Sequence, residues 1–202
     1  MAANDLVTLG ETKAALRLPS NASDGLLAAW VSAVSVRVDE LCGPVVNRTI
    51  TDEFHDGGWP SIYPRFVPVS SVTSLSEYDS AGTVTALSAE DYDTKPSSAF
   101  LVDGEVIRRR SSGSDATFVL GRRNVRLTYV AGRVANTAAV TEQFKRAALV
   151  VLRHMWSQEH GQPGPTYGVG DGELVVVGAG WAIPRRARDL LGNEMRPQAT
   201  FA

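Results

Sequence analysis

The sequence predicts an α+β protein: a small helical bundle core of two N-terminal helices plus a long C-terminal helix, with a β-rich insertion and an extended C-terminal arm. Three observations carry that expectation. Apolar residues recur at helical spacing near both ends of the chain, the middle changes to short β-rich runs, and a Pro/Gly-rich break follows the long helix. At 202 residues the chain is long enough to bury about 70% of its unfolded surface, so no disulfide or metal staple is needed.

Thr8-Leu9-Gly10-Glu11 has the Ser/Thr-x-x-Glu form of a capping box, in which hydroxyl and carboxylate each satisfy a free donor at a helix start. A helix over residues 8–18 follows, closed by Pro19. Ser23-Asp24 opens a second helix over 24–42, with Leu26, Leu27, Trp30, Val31, Val34, Val38 and Leu41 on one arc and Gly43-Pro44 at its end.

Residues 45–133 form the β-rich insert, with candidate strands at Arg48 to Phe54, Val67 to Tyr78, Asp91 to Thr94, Phe100 to Arg108 and Val125 to Val130. In the last, Val125, Leu127 and Tyr129 alternate with Arg126 and Thr128, the period of a half-buried strand. Asp79 to Gly82 and Ser111 to Asp115 carry hairpin-tip chemistry.

A long helix is expected over 141–159, with Phe144, Ala148, Val151 and Met155 in one apolar row and Leu149, Leu152 and Trp156 in another. So wide an arc implies burial against more than one partner. Residues 1–160 therefore make the core, and 161–202 a hinge and C-terminal arm. The arm begins at Gln162-Pro163-Gly164-Pro165 and contains the apolar run Leu174 to Val177 and a short helix over 184–191.

The chemistry-bearing residues lack catalytic spacing. His154, Glu159 and His160 stand near a zincin pattern, but that motif needs two histidines one turn apart on one helix face. Asp91 and Asp93 would share a strand face, where a solvent-facing pair is the plainer reading. Gly168 to Gly172 follows a Pro-Gly stretch and precedes a strand-like run, the wrong order for a phosphate loop. Cys42 is the single cysteine, so it forms no internal disulfide and reads as a reduced core thiol. No catalytic residue, cofactor or metal site is expected. Met1 to Leu9 carries neither a basic leader nor an apolar stretch, and Ala147 to Leu152 is far short of a membrane span, so no secretory signal and no membrane partner are expected.

Charge is more informative. A formal net charge of -2 opposes a generally basic, duplex-binding surface. Residues 52–105 nevertheless hold ten carboxylates against Arg65 and Lys95, whereas 108–133 hold seven arginines (Arg108, Arg109, Arg110, Arg122, Arg123, Arg126, Arg133) against Asp115. Three readings of this bipolar insert stand open: internally paired or solvated strand faces, a head-to-tail contact between subunits, or a basic surface for passing DNA. The arm carries Trp181, Ile183, Leu190 and Leu191 beside Arg185, Arg186 and Arg188. It either returns onto its own core or anchors in another subunit, and tryptophan and arginine are favoured anchors.

The order of elements resembles the head-tail connector adaptor (head-completion) family of long-tailed bacteriophages. The residues that carry the likeness are Leu6-Val7-Thr8-Leu9-Gly10-Glu11-Thr12-Lys13-Ala14-Ala15-Leu16-Arg17, the Asp24-led helix, Asp91-Tyr92, Val125 to Gly132 with Lys145 to Leu149, and Ile183 to Gly192. The resemblance implies a structural, non-enzymatic subunit of the virion neck, made in the host cytoplasm. It implies a ring of about twelve copies built by heterologous contacts, bound to the portal protein on one side and a stopper or tail-completion protein on the other, with genomic DNA passing through the lumen. On that reading Arg108, Arg109, Arg110, Arg122 and Arg123 of the insert, and Trp181, Ile183, Arg185, Arg186, Leu190 and Leu191 of the arm, are the expected interface residues. The alternatives are another neck or tail-completion protein, a small-molecule enzyme and a DNA-binding module.

Overall fold

A computed structural model describes residues 4–95, 104–110, 112–160 and 183–194. The chain divides into two compact units, 1–42 with 137–202, and 43–136.

The first unit is helical. Helix α1, Leu9–Leu16, begins with the expected capping box: the Thr8 hydroxyl accepts from Glu11 N–H at 3.1 Å, and the Glu11 carboxylate accepts from Thr8 N–H at 2.7 Å. It stops at Leu16 rather than Leu18, with Arg17 left-handed at φ 57°. Leu18 precedes Pro19, whose ring disfavours helical backbone in the residue before it. Helix α2, Asp24–Cys42, buries Leu27, Trp30, Val31, Val34, Ser35, Val38 and Cys42. The buried arc is rotated from the expected one: Leu26 is 40% exposed, and Ser35 is turned inward to accept from the backbone N–H of Leu6 at 3.0 Å. Leu6 and Val7 are themselves fully buried, so the segment before α1 is part of the core.

Helix α3, Glu142–His160, buries Phe144, Ala147, Ala148, Val151 and Leu152. It packs against α1, α2 and a fourth helix, α4, Arg185–Leu191, in keeping with its wide apolar arc. Lys145 on α3 reaches Glu11 of α1 at 2.8 Å, and Trp156 meets Trp30 edge to face with ring centroids 6.2 Å apart. Within α4, Ile183 just before it, Ala187 and Leu191 are buried.

The second unit contains two antiparallel sheets around one apolar core. The strands are β1 Arg48–His55, β2 Ser61–Ile62, β3 Val69–Tyr78, β4 Val84–Leu87, β5 Tyr92–Lys95, β6 Glu105–Arg108 and β7 Val125–Ala131. Their order is β1-β7-β3-β4 in one sheet and β2-β6-β5 in the other. Strand β7 is central, and Val125, Leu127, Tyr129 and Ala131 are all fully buried, as strict alternation requires. They share the core with Ile62, Leu75, Val106 and Phe118.

The expected strand from Phe100 to Arg108 is described only from Glu105, since 96–103 lie outside the described residues, and β2 and β4 were not expected. Both are short, and β4 is exposed at Val84, Thr85 and Ala86, so neither carries an alternating pattern to read.

Strand β1 is bulged between Ile50 and Glu53, where Asp52 adopts φ 54°. The bulge lets Glu53 accept from the Tyr129 hydroxyl at 2.8 Å and from Arg65 N–H at 2.7 Å, and brings it 2.9 Å from His55 Nε2. A core tyrosine hydroxyl is thereby satisfied rather than stranded.

Candidate interaction surfaces

The five arginines singled out in the insert do not act alike. Arg108, at the end of β6, points its guanidinium at Glu77 of β3, 3.2 Å away, and donates to the backbone oxygen of Asp91 at 2.8 Å and to that of Arg109. The Glu77 side chain is 5% exposed, and the same carboxylate accepts from Val119 N–H at 3.3 Å. Arg109 lies between Asp93 at 3.6 Å and Asp115 at 3.8 Å. These two arginines neutralise the unit's own acids. Arg110 is exposed.

Arg122 and Arg123 are exposed, on the loop that leads into β7. Arg123 donates its backbone N–H to Asp56 at 2.7 Å and lays its guanidinium over the Phe54 ring, 5.5 Å from the centroid. Beside them the sheet ends in two loops, 56–60 and 117–124, stitched together by short-range order. Gly57 N–H donates to Gly121 O at 2.9 Å and to Asn124 Oδ1 at 2.9 Å, Gly58 N–H to Phe118 O at 3.0 Å, and Phe118 N–H to Trp59 O at 3.0 Å. The buried Asn124 amide donates to Val119 O at 2.7 Å and to Tyr78 O at 3.2 Å. The loops approach so closely that a Cβ on Gly57 would lie 1.9 Å from the Val119 carbonyl oxygen.

These firmly held loops present apolar side chains outward. Trp59 is 68% exposed and Leu120 85%, with Phe54 and Val119 also exposed beside them. Loops pinned by buried polar groups while their largest apolar residues face water form a preorganised contact surface. The sequence reading missed Trp59 and Leu120. The available signal was large apolar residues inside glycine-rich turns, Gly57-Gly58-Trp59-Pro60 and Leu120-Gly121-Arg122-Arg123, where a solvated loop would carry polar ones.

On the helical unit, α3 and α4 bound a cavity of about 430 Å³ lined by Glu142, Arg146, Leu149, Val150, Arg153, Arg186 and Leu190. Arg185 and Arg186 are exposed, Leu190 is half-buried, and Leu191 and Ile183 are buried against their own chain. Over residues 183–194 the arm has returned onto α3, and Ile183 and Leu191 are used in that packing. Trp181 lies outside the described residues, as do the apolar run Leu174 to Val177 and the hinge.

The candidate chemical groups have structural employment. Asp91 Oδ2 accepts from the Ser88 hydroxyl at 2.7 Å and from Ser88 N–H at 2.9 Å. These bonds, with Arg108 nearby and against a smaller opposing effect of burial, hold its carboxyl below the usual range, so it stays ionised as a turn cap. His160 stacks on Trp156 at 3.8 Å between centroids, and His154 lies 3.0 Å from the Gln158 amide, four residues along the helix. Among the described residues no three potential ligands gather into a metal site, and no helix is long and apolar enough to cross a membrane.

No family model and no curated protein sequence matches the chain. Its fold does match solved structures, chains from gene transfer agent particles. One neighbour is a chain from the neck of an empty gene transfer agent particle computed with C6 symmetry, at TM-score 0.61 and 18% identity. A second is from the virion of the native gene transfer agent particle, at TM-score 0.57 and 18% identity. A third is from the neck of the native particle computed with C12 symmetry, at TM-score 0.51 and 17% identity. Each alignment covers 100% of this chain and 99% of the other.

Proposed function

We propose that this protein is a structural, non-enzymatic subunit of a virion neck: a head-to-tail connector adaptor that assembles with copies of itself into a ring beneath the portal. The observation that carries this reading is the end-to-end likeness of fold to neck chains from particles reconstructed with C6 and C12 symmetry. Copies related by a rotation axis meet through two different patches, so each protomer needs a pair of complementary surfaces. The exposed tip of the β unit offers one such surface. The exposed Arg185 and Arg186 of α4, with the half-buried Leu190, are assigned to a further contact with a neighbouring subunit or the portal, and Trp181 to the same arm. On this reading a stopper or tail-completion protein binds the opposite side of the ring. Genomic DNA passes through the lumen without sequence-specific contact, which a net charge of -2 favours by limiting adhesion to phosphate.

The test is electron microscopy of the neck of particles that carry this chain, with the chain traced in the map. A ring of this subunit between portal and tail is the expected result, and a particle lacking it overturns the assignment. Binding assays of the purified chain against portal and against tail components then separate an adaptor, which engages the portal, from a tail-completion protein, which does not.

A further inference from the structure

The two edges of the four-stranded sheet are built differently. Strand β1 carries a bulge at Asp52 and the charged side chains of Arg48, Asp52 and Glu53, devices that keep an edge from pairing with another chain. Strand β4 has none of them. Residues 80–89, from Ser80 to Ala89, contain no charge at all, and the run is bounded by Asp79 and Glu90, both exposed. Val84, Thr85 and Ala86 are exposed, and β4 pairs only with β3 among the described residues. An uncharged, unbulged edge strand invites a partner.

The loops at the end of the sheet supply the complement. At the end of the sheet where β1 finishes at His55 and β7 begins at Val125, the rigid loops present Trp59 and Leu120 with Arg122 and Arg123 beside them. The tip is apolar and carries Arg122 and Arg123 against Asp56, and the β4 edge is apolar and bounded by Asp79 and Glu90. Trp59 and Leu120 stay exposed and β4 keeps its outer edge unpaired among the described residues, so the two surfaces do not satisfy each other within one protomer.

From these surfaces we infer that the Trp59–Leu120 tip of one copy docks on the β3–β4 hairpin and β4 edge of the next. This deepens the proposed ring and rests on it. The occupant is a second copy because both halves of a head-to-tail contact are present on one chain with opposite flanking charge, the condition for a heterologous interface that repeats around an axis. The alternative acceptor on a second copy, the α3–α4 cavity, carries Arg146, Arg153 and Arg186 against the single acid Glu142, so its excess positive charge disfavours the arginines of the tip. Asp79 keeps its charge under these conditions. Its carboxylate accepts from Thr83 N–H at 2.7 Å and Ala81 N–H at 2.9 Å, and these bonds hold it below the usual carboxylate range. Arg108 and Arg109 have no part in the contact, since Glu77, Asp93 and Asp115 already engage them.

The experiment is disulfide trapping in assembled particles with the full chain carrying Leu120→Cys and Val84→Cys. Cys42 is buried and does not interfere. Oxidation is expected to join this chain to itself in a ladder of covalent multimers, and the ladder should be absent with either substitution alone. A chain present in the neck without a ladder, or linked through position 120 to a different protein, overturns the contact while leaving the ring intact. For a double variant that fails to assemble, oxidative footprinting of the unaltered protein decides: Trp59 must be protected in particles relative to the free chain, and equal reactivity overturns the contact. Absence of the unaltered chain from the particle removes both this contact and the proposed function.

Discussion

Two pairs of arginines in the β unit, Arg108 with Arg109 and Arg122 with Arg123, look alike in sequence and do opposite things. The first pair reaches acids of its own unit: Arg108 turns inward to the nearly buried Glu77, and Arg109 bridges the more exposed Asp93 and Asp115. The second pair stays exposed on a loop whose backbone is held by Asp56 and Asn124. The difference teaches that an arginine's role follows the depth of the carboxylate it can reach. A buried carboxylate left unpaired is costly and captures its partner for stability, while an exposed pair contributes little and is available to another molecule.

That contrast can be broken most directly at Arg108. Arg108→Ala leaves Glu77 buried without its cation and is expected to lower the stability of the protein by about 3–5 kcal/mol, read from chemical denaturation. Arg122→Ala is expected to change it by less than about 0.5 kcal/mol. Equal losses for the two variants would erase the distinction between them.

Next in size is Asn124→Ala, which takes the amide donor from the buried Val119 carbonyl and removes one of the two acceptors of Gly57 N–H, and should cost about 1–3 kcal/mol. It should also raise amide hydrogen exchange at Gly57 and Gly58, and unchanged exchange would mean that the tip loops are not held by Asn124. A smaller effect is expected for Phe54→Ala, which removes the ring beneath Arg123 and forfeits about 0.5–1 kcal/mol. A double-mutant cycle with Arg123→Ala measures that coupling.

The smallest expected effect concerns acid. Burial pushes the Glu11 carboxyl up, but Lys145 and the Thr8 backbone and hydroxyl donors outweigh it and hold the group below its ordinary value of 4.5. A carboxylate depressed in the folded state contributes stability above its unfolded pKa and loses it as pH falls through the folded one. The wild-type protein should therefore lose more stability than Glu11→Gln as the pH is lowered below about 4.5, in paired denaturation curves. Parallel losses would show that the capping box adds nothing to the acid response.

Much of the architecture was legible because its causes are local. The capping box at Thr8 and Glu11, the Asp24 start of α2 and the alternation in β7 depend on residues within a few positions of one another, and each element formed within a residue or two of its expected limits. The misses share a cause too. Leu26 and Ser35 exchanged their expected places because the inward face of α2 is chosen by the segment at Leu6, 29 residues away. The exposed Trp59 and Leu120 were missed because a large apolar residue reads as core by default, and only the glycine-rich turns around them hint otherwise.

The sequence alone therefore determined the α+β composition, the positions of the principal helices, the buried strand at 125–131 and the segregation of charge in the insert. Tertiary structure decided which charges cancel and which apolar residues face outward. Arg108 meets Glu77 across 31 residues, Glu77 meets Val119 across 42, and Gly57 meets Asn124 across 67. Periodicity and capping act within a turn or two of chain, whereas pairing and exposure depend on which distant segments the fold brings into contact, and only coordinates carry that information.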